Sequence, residues 1–291
     1  MLNRLIDKTI FATKVKILFA RIPYIIVTLF YGKKPRIVTK QGIKYELDLS
    51  EGIDLSIFLF GKYQEHVIKN KIIALPKDGL VIDIGANMGA MTLQFAQKAP
   101  QGKVYAFEPT HYSLARLKRN LELNPELASR VEVINSFVSL KSSANANLIA
   151  FSSWKVSGEK TGDTHPVHKG IAKSTEGVGS ITLNDFCSSR NLPKIDLIKI
   201  DTDGHEYDIL LGAKEAIKKY RPKLIFEAGI YAMTEKNIDF SHYAKYFHEL
   251  NYRLFESVKE VEITEANYKK YIPENGTIDI IAAPLVQKDR E

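Results

Sequence analysis

Several side chains able to do acid–base chemistry fall just after short apolar runs. Glu108 follows Phe107, Asp201 follows Ile200 and Glu227 follows Phe226, with His205 a little past Asp201. A short apolar run bounded by turn residues reads as a buried strand. The carboxyl edge of a parallel sheet is where α/β proteins bind ligands. A carboxylate there can orient a hydroxyl or accept its proton, provided it comes within hydrogen-bond reach. Asp201, His205 and Glu227 are therefore the candidate catalytic groups. His205 could deprotonate a hydroxyl, although the start of a helix disfavours its charged form. Asp203 and Glu206 also have a purely structural reading, as the N-cap of the next helix and the residue that reaches back to it.

Upstream, the run Leu80-Val81-Ile82-Asp83-Ile84 leads into Gly85-Ala86-Asn87-Met88-Gly89, and Ala90 to Gln97 reads as a helix. Strand, glycine turn and helix in this order make a pocket for a nucleotide-like ligand. The glycines let backbone approach closely, and N–H groups at the helix start face the ligand. Asp83 could accept from a ligand ammonium, directly or through water, or bond the N–H groups of its own turn. Glu108 lies 23 residues after Gly85, at the tip of the second strand, where an acid can accept from both ribose hydroxyls. Turn and acid together point to an adenosine-type ligand. The dinucleotide pattern G-x-G-x-x-G is not met, which counts against an NAD-dependent oxidoreductase. A binding module that keeps the pocket without catalysis stays open as the other alternative.

The rest of the chain must position these groups. Residues 41–49 alternate as a half-buried strand does, residues 64–75 have the pattern of an amphipathic helix, and 76–79 form a turn. From there, strands at 80–85, 104–107, 131–138, 195–200, 224–227, 252–255 and 278–282 alternate with helices at 89–98, 113–123, 206–219 and 243–250. That alternation predicts a mostly parallel sheet covered on both faces. No strong helix separates the last two strands, which allows them to pair antiparallel. Residues 155–180 break the rhythm as a long loop of functional or disordered type. His165 and His168 within it have no third ligand in view, so no metal is expected.

Asp83-x-Gly85-Ala86-Asn87-x-Gly89 followed by Phe107-Glu108-Pro109 resembles the first two motifs of class I S-adenosylmethionine-dependent methyltransferases. More narrowly, the chain resembles the FkbM family. Gly61-x-Tyr63-x-Glu65 stands upstream, and Asn120 and Asn124 follow the second motif. Then come Thr182-Leu183-Asn184-Asp185 and Ile200-Asp201-Thr202-Asp203-Gly204-His205-Glu206, with Leu210 and Gly212-Ala213 beyond. Asn184 stands where the family often has Asp, and Thr202-Asp203 where Val-Glu is common. The resemblance covers roughly residues 45–230 and is silent on the substrate.

It implies a seven-stranded, mostly parallel Rossmann-like sheet of order 3-2-1-4-5-7-6 with strand seven antiparallel. It implies S-adenosyl-L-methionine as cofactor. Backbone at Gly85, Ala86, Asn87 and Gly89, with Asp83, would hold its amino-acid part, and Glu108 and Pro109 would sit at the ribose. Ser136 and Phe137 would lie at the adenine, Tyr63 and Glu65 would close over the cofactor, and Asp201 would face the reacting centre. The reaction we expect is O-methylation of a hydroxyl on a sugar, glycan or small metabolite, with no nucleic-acid partner. No Asn/Asp-Pro-Pro-Tyr type motif follows the fourth strand.

Charge is unevenly placed. Of the net charge of +7, residues 1–40 contribute +8 and the remaining 251 residues −1. The high isoelectric point therefore describes the N-terminus and is no evidence for a nucleic-acid enzyme. The apolar run Ile22 to Tyr31 is too short to span a bilayer, which takes about 20 residues. No small-residue cleavage site follows it. Two readings stay open: a basic helix packed on the domain or on a partner chain, or a peripheral membrane contact through residues 14–36. We expect residues 1–40 to be a separate segment and 41–291 the catalytic domain, with 41–79 as a cap. The lone cysteine, Cys187, excludes an intrachain disulfide and fits a cytoplasmic setting.

Overall fold

Why four acidic or turn positions meet becomes clear from the register of the central strands. The computed structural model describes residues 13–32, 34–146, 148–152, 155–156, 170–274 and 276–285. Arg36–Lys40 (β1) and Ile43–Leu47 (β2) form an antiparallel hairpin. Leu80–Ile84 (β3), Lys103–Phe107 (β4) and Val131–Ile134 (β5) pair in parallel. Phe137–Val138 (β6), Ala150–Ser152 (β7), Ile171–Lys173 (β8) and Ser180–Ile181 (β9) form two small pairs, β6 with β9 and β7 with β8. Leu197–Ile200 (β10), Lys223–Gly229 (β11), Tyr252–Glu256 (β12), Val261–Glu262 (β13) and Thr277–Pro284 (β14) complete the main sheet.

That sheet has eight strands in the order β13-β12-β14-β11-β10-β3-β4-β5, with β14 antiparallel to both β11 and β12. Numbered along the chain without β13, the principal strands read 3-2-1-4-5-7-6 from the β5 edge, as expected. The two-residue β13 is an addition beyond the sixth strand. Every side chain of β3 and of β10 is buried, as the unbroken apolar runs required of a sheet covered on both faces.

Ile200 pairs with Ile84, Ile84 with Phe107, and Ile200 also with Phe226. β3, β4 and β10 therefore end level, while β11 runs three residues further, to Gly229. Asp201, Gly85 and Glu108, which follow their strands, and Glu227, within β11, lie side by side at one edge.

Three elements depart from the expected spans. The strand expected at 131–138 stops at Ile134, and Phe137–Val138 leaves the sheet to pair with β9. The helix expected at 64–75 is only Glu65–Ile68, because the Asn70 side-chain oxygen accepts from the N–H groups of Ile72 and Ile73 and closes a turn instead. The helix expected at 206–219 divides into Glu206–Gly212 and Lys214–Tyr220. At the division a Cβ on Gly212 would lie 2.4 Å from the Ser139 carbonyl oxygen, and Asn184 accepts from the Ala216 N–H at 2.9 Å.

The N-terminal hairpin is tied to the domain by two asparagines. Asn120 accepts from the Glu46 N–H at 2.8 Å and donates to the Met88 carbonyl at 2.8 Å. Asn124 accepts from the Lys44 N–H at 2.9 Å and donates to the Lys44 carbonyl. Their spacing puts both amides on one face of the helix His111–Glu122 and its end, where they serve the free edge of β2 as another strand would. The domain boundary expected at residue 40 falls inside this hairpin, so β1 belongs structurally with β2. Of the long loop, residues 157–169, including His165 and His168, lie outside the described residues. Its ends are anchored: Val156 is buried in the core beside Ile43 and Leu55, and Lys155 bridges Asp48 and Glu51 at 3.0 and 2.7 Å.

Gly85 has φ +81, and a Cβ on it would lie 1.9 Å from the Asp201 carbonyl oxygen. Gly177 has a similar φ of +73 but open space around it. Gly85→Ala should therefore lose about 3 kcal/mol or more of stability, and Gly177→Ala only the left-handed penalty of about 1 kcal/mol. Urea denaturation of the two variants checks this contrast.

Candidate active site

The turn after β3 is held by its neighbours before any ligand is considered. Gly85, Asn87 and Gly89 all have positive φ, at +81, +50 and +90. The Gly85 and Ala86 N–H groups both donate to the Phe107 carbonyl at 3.0 and 2.9 Å. The Asn87 N–H donates to Glu108 Oε2 at 2.9 Å. These N–H groups, expected to face a ligand, thus fasten the turn to β4 instead. Glu108 is buried, and its Oε1 accepts from the Thr110 N–H and hydroxyl at 2.8 and 2.7 Å. It joins the turn to the start of the next helix. Burial pushes its carboxyl above the usual range, with the bonds from Thr110 and Asn87 opposing.

A cleft of about 280 Å³ opens over this edge. Gly85, Ala86, Asn87, Glu108, Pro109, Ser136 and Phe137 line it, with Tyr63 from the N-terminal side and Asp201, His205 and Glu227 from the far strands. The edge therefore brings together most of the residues expected from sequence.

Three are not brought there. Glu65 turns to the surface, where Lys62 and Lys69 hold its carboxylate, because residues 65–68 form one helical turn that puts it on the Lys69 side. Gly89 meets Leu117, whose Cδ1 would be 2.6 Å from a Cβ there. It is a packing glycine at the helix start. Asp83 is fully buried behind the cleft, accepting from the Thr92 hydroxyl at 2.6 Å and facing Lys199 Nζ at 3.8 Å. Neither of its two expected roles is what the geometry shows: it bonds no N–H of the turn and does not reach the cleft wall.

Lys199 is the cleft residue that sequence reasoning missed. Its signal was a lysine inside the apolar strand Leu197-Ile198-Lys199-Ile200, where a charge must find a partner. Its ammonium lies 3.0 Å from Asp201 Oδ2, onto which Gln64 Nε2 also donates at 3.3 Å. Burial alone would depress the lysine, but Asp201 and Asp83 outweigh it and hold the charge above the ordinary range. Gln64 and Thr277 had no such signal, since nothing local marks them.

The far side of the cleft is rich in acids. Glu227 is pushed well above the usual carboxylate range by burial and by Asp201, Asp203 and Glu206, and it accepts from the Thr277 hydroxyl at 2.5 Å. Asp203 is raised likewise, by burial and by Asp201. Asp203 does not N-cap the following helix. It sits at φ +55, and His205 holds the N-cap position without a side-chain cap. The reach-back by Glu206 is present in another form: its carboxylate accepts from the Thr202 N–H and hydroxyl at 2.9 and 3.0 Å and from the Gly204 N–H. Burial and the charge of Lys236 push His205 below its ordinary range, so it stands neutral near neutral pH.

Lys199→Met would leave Asp83 as a buried carboxylate without its counter-charge. The expected loss is about 3–5 kcal/mol of stability. In an Asp83→Asn background the same substitution should cost clearly less, and urea denaturation of the four-member cycle reads the difference.

Comparison with known proteins adds the following. Residues 83–254 match the family model described as the methyltransferase FkbM domain. The match begins at Asp83, so the hairpin and cap lie outside it. The chain is 30% identical over 149 residues to Methyltransferase 1 of Beauveria bassiana, covering 47% of this chain and 59% of that one. It is 27% identical over 155 residues to the 2-O-methyltransferase NoeI of Sinorhizobium fredii, covering 50% and 61%. To the hexuronic acid methyltransferase AglP of Haloferax volcanii it is 26% identical over 155 residues, covering 53% and 58%. Each match thus spans about three fifths of the relative's own length.

Proposed function

The chain belongs to the FkbM methyltransferase domain family, and on that premise we propose that it O-methylates a hydroxyl of a sugar or glycan, with S-adenosylmethionine as the methyl donor. The observation that carries this reading is the shared register of four neighbouring strands, which sets Gly85, Glu108, Asp201 and Glu227 around one cleft. The donor set suits a cationic adenosine ligand. Glu108 Oε2 keeps one acceptor site beyond that used by Asn87, and Asp201 supplies negative character on the far side. Phe137 and Ser136 line the cleft beside Glu108, an aromatic face and a polar edge for a base. S-adenosylmethionine, when bound, supplies a methyl group already activated on a sulfonium.

The protein's own part is to orient the acceptor and take its proton. Both contacts to Asp201 among the described residues fall on Oδ2, which leaves Oδ1 to accept from a hydroxyl. His205, kept neutral by burial and Lys236, receives the proton. Glu227, which burial and the neighbouring acids push well above the usual carboxylate range, lines the cleft beside Asp201. The sugar assignment draws on two relatives, one named a 2-O-methyltransferase and the other a hexuronic acid methyltransferase.

Transfer of labelled methyl from S-adenosylmethionine to a panel of free and glycosidic sugars, with mass analysis of the product, tests the reaction. Calorimetry should find S-adenosylmethionine bound and NAD not bound; binding of NAD alone would overturn the reading. Because His205 titrates below its ordinary value of 6.5, the rate should be flat around neutrality and fall only as acid protonates the imidazole. His205→Gln should lower the turnover number about 10²-fold or more and remove that acidic limb. Asp201→Asn should lower turnover more than it weakens cofactor binding.

A further inference from the structure

The N-terminal helix Thr13–Tyr31 carries apolar side chains on two opposite faces, and the domain uses only one of them. Tyr24 and Val27 are buried in the core that also holds Ile43, Tyr45 and Leu55. Ile22, Ile25, Ile26 and Leu29 follow the i, i+3, i+4, i+7 spacing of a single helical stripe, and they are 60, 53, 51 and 78% exposed. Phe30, next to the stripe, is 81% exposed. The patch continues onto the helix Gly52–Phe60, where Phe60 is 60% exposed and Phe58 meets Tyr31 edge to face at 5.6 Å. Arg36 lies over both of those rings at 5.1 and 5.9 Å and donates to the Tyr31 carbonyl. That fastens the end of the amphipathic helix to the cap.

Charge decides what this face fits. From residue 8 to residue 45 the chain has no acidic residue, while Lys14, Lys16, Arg21, Lys33, Lys34, Arg36 and Lys40 are all basic. Arg21 and Lys34 are exposed at the two ends of the apolar stripe. A second copy of the chain would bring like charge against like, whereas an anionic surface is complementary to it. Among the described residues no helix is long and apolar enough to cross a membrane. We propose that the outward face of Thr13–Tyr31, together with Phe60, docks this protein on the surface of an anionic phospholipid bilayer.

The docking face and the cleft share one element. Ile53, at the start of the helix Gly52–Phe60, lines the cleft, and Phe60, at its end, lies in the exposed patch. Seven residues of helix separate them by roughly 10 Å along the axis. A membrane-seated enzyme would thus hold its cleft close to the headgroups, within reach of a glycan carried on a lipid. Only this last consequence rests on the reaction proposed above, since bilayer binding is read without any turnover.

Flotation of the full chain with vesicles tests the proposal. The expected result is strong binding to phosphatidylcholine vesicles containing about one third phosphatidylglycerol, weak binding to phosphatidylcholine alone, and weakening of the former by salt. Ile26→Glu with Leu29→Glu should cut binding at least tenfold while the melting temperature and S-adenosylmethionine binding stay as in the unmodified chain. Leu29→Ser, which adds no charge, should lower binding in the same direction. Equal binding to both vesicle types, no binding to either, or flotation of the double variant like the unmodified chain would overturn the proposal. So would a dimer in sedimentation that the double variant breaks while neither form floats, which would assign the face to a second copy.

Discussion

One close crossing organises the molecule: the backbone of Gly85 runs against the carbonyl of Asp201, with no room for a Cβ between them. The crossing follows from adjacency of β3 and β10 and from their register, which the Asp201 N–H extends by donating to the Ile84 carbonyl at 3.0 Å. It sets the acidic end of β10 beside the turn that closes β3. The Gly85 and Ala86 N–H groups then fasten the same turn to β4 through the Phe107 carbonyl, and Glu108 takes the next N–H. Three strand ends are locked by backbone bonds before any side chain contacts a ligand. The glycine is thus needed for the approach of protein to protein, and the ligand site inherits its shape from that approach.

The second constraint is electrostatic. Asp83, Asp201, Asp203, Glu206 and Glu227 converge on one end of the sheet, and Lys199 is the buried cation between the first two of them. Where a carboxylate has partners to satisfy it, as Glu206 does with the Thr202 and Gly204 N–H groups, it organises the loop after β10. Where it faces other acids in a buried place, as Glu227 does, its carboxyl is pushed well above the usual range. A row of similar residues at one sheet edge is thereby divided into different chemical roles.

The hairpin and cap extend the site from outside the matched family region. Asn120 and Asn124 bind the backbone of β2 as an extra strand would. Arg116 and Asp54, with Lys155 between Asp48 and Glu51, tie the cap helix to the helix His111–Glu122 and to the anchored end of the long loop. Tyr63 reaches the cleft from this cap, while its neighbour Gln64, at φ +45, reaches Asp201. The cap therefore both walls the cleft and supports the N-terminal helix.

The amino-acid sequence by itself determined the alternation of strands and helices, the edge at which the cleft forms, and the turn-plus-acid signature at Gly85 and Glu108. These are carried by local patterns: apolar runs of strand length, a glycine turn, an acid at a strand tip. The strand order came from the resemblance of its motifs to a known family. Where local competition was subtle, the sequence read less well. Asn70 cut short the helix expected at 64–75, and the contact of Gly212 with Ser139 divided the one expected at 206–219. Only the tertiary structure decided which carboxylate meets which partner. Asp83 lies 116 residues before Lys199 and Gln64 lies 137 before Asp201, and no short-range pattern encodes such a pairing. The same holds for Glu65, which the family resemblance placed at the cofactor and its helical turn sent to Lys62 and Lys69. It holds too for the N-terminal helix, whose apolar residues were plain in the sequence. Which of its two faces the domain would cover depended on the position of a core built from residues far along the chain.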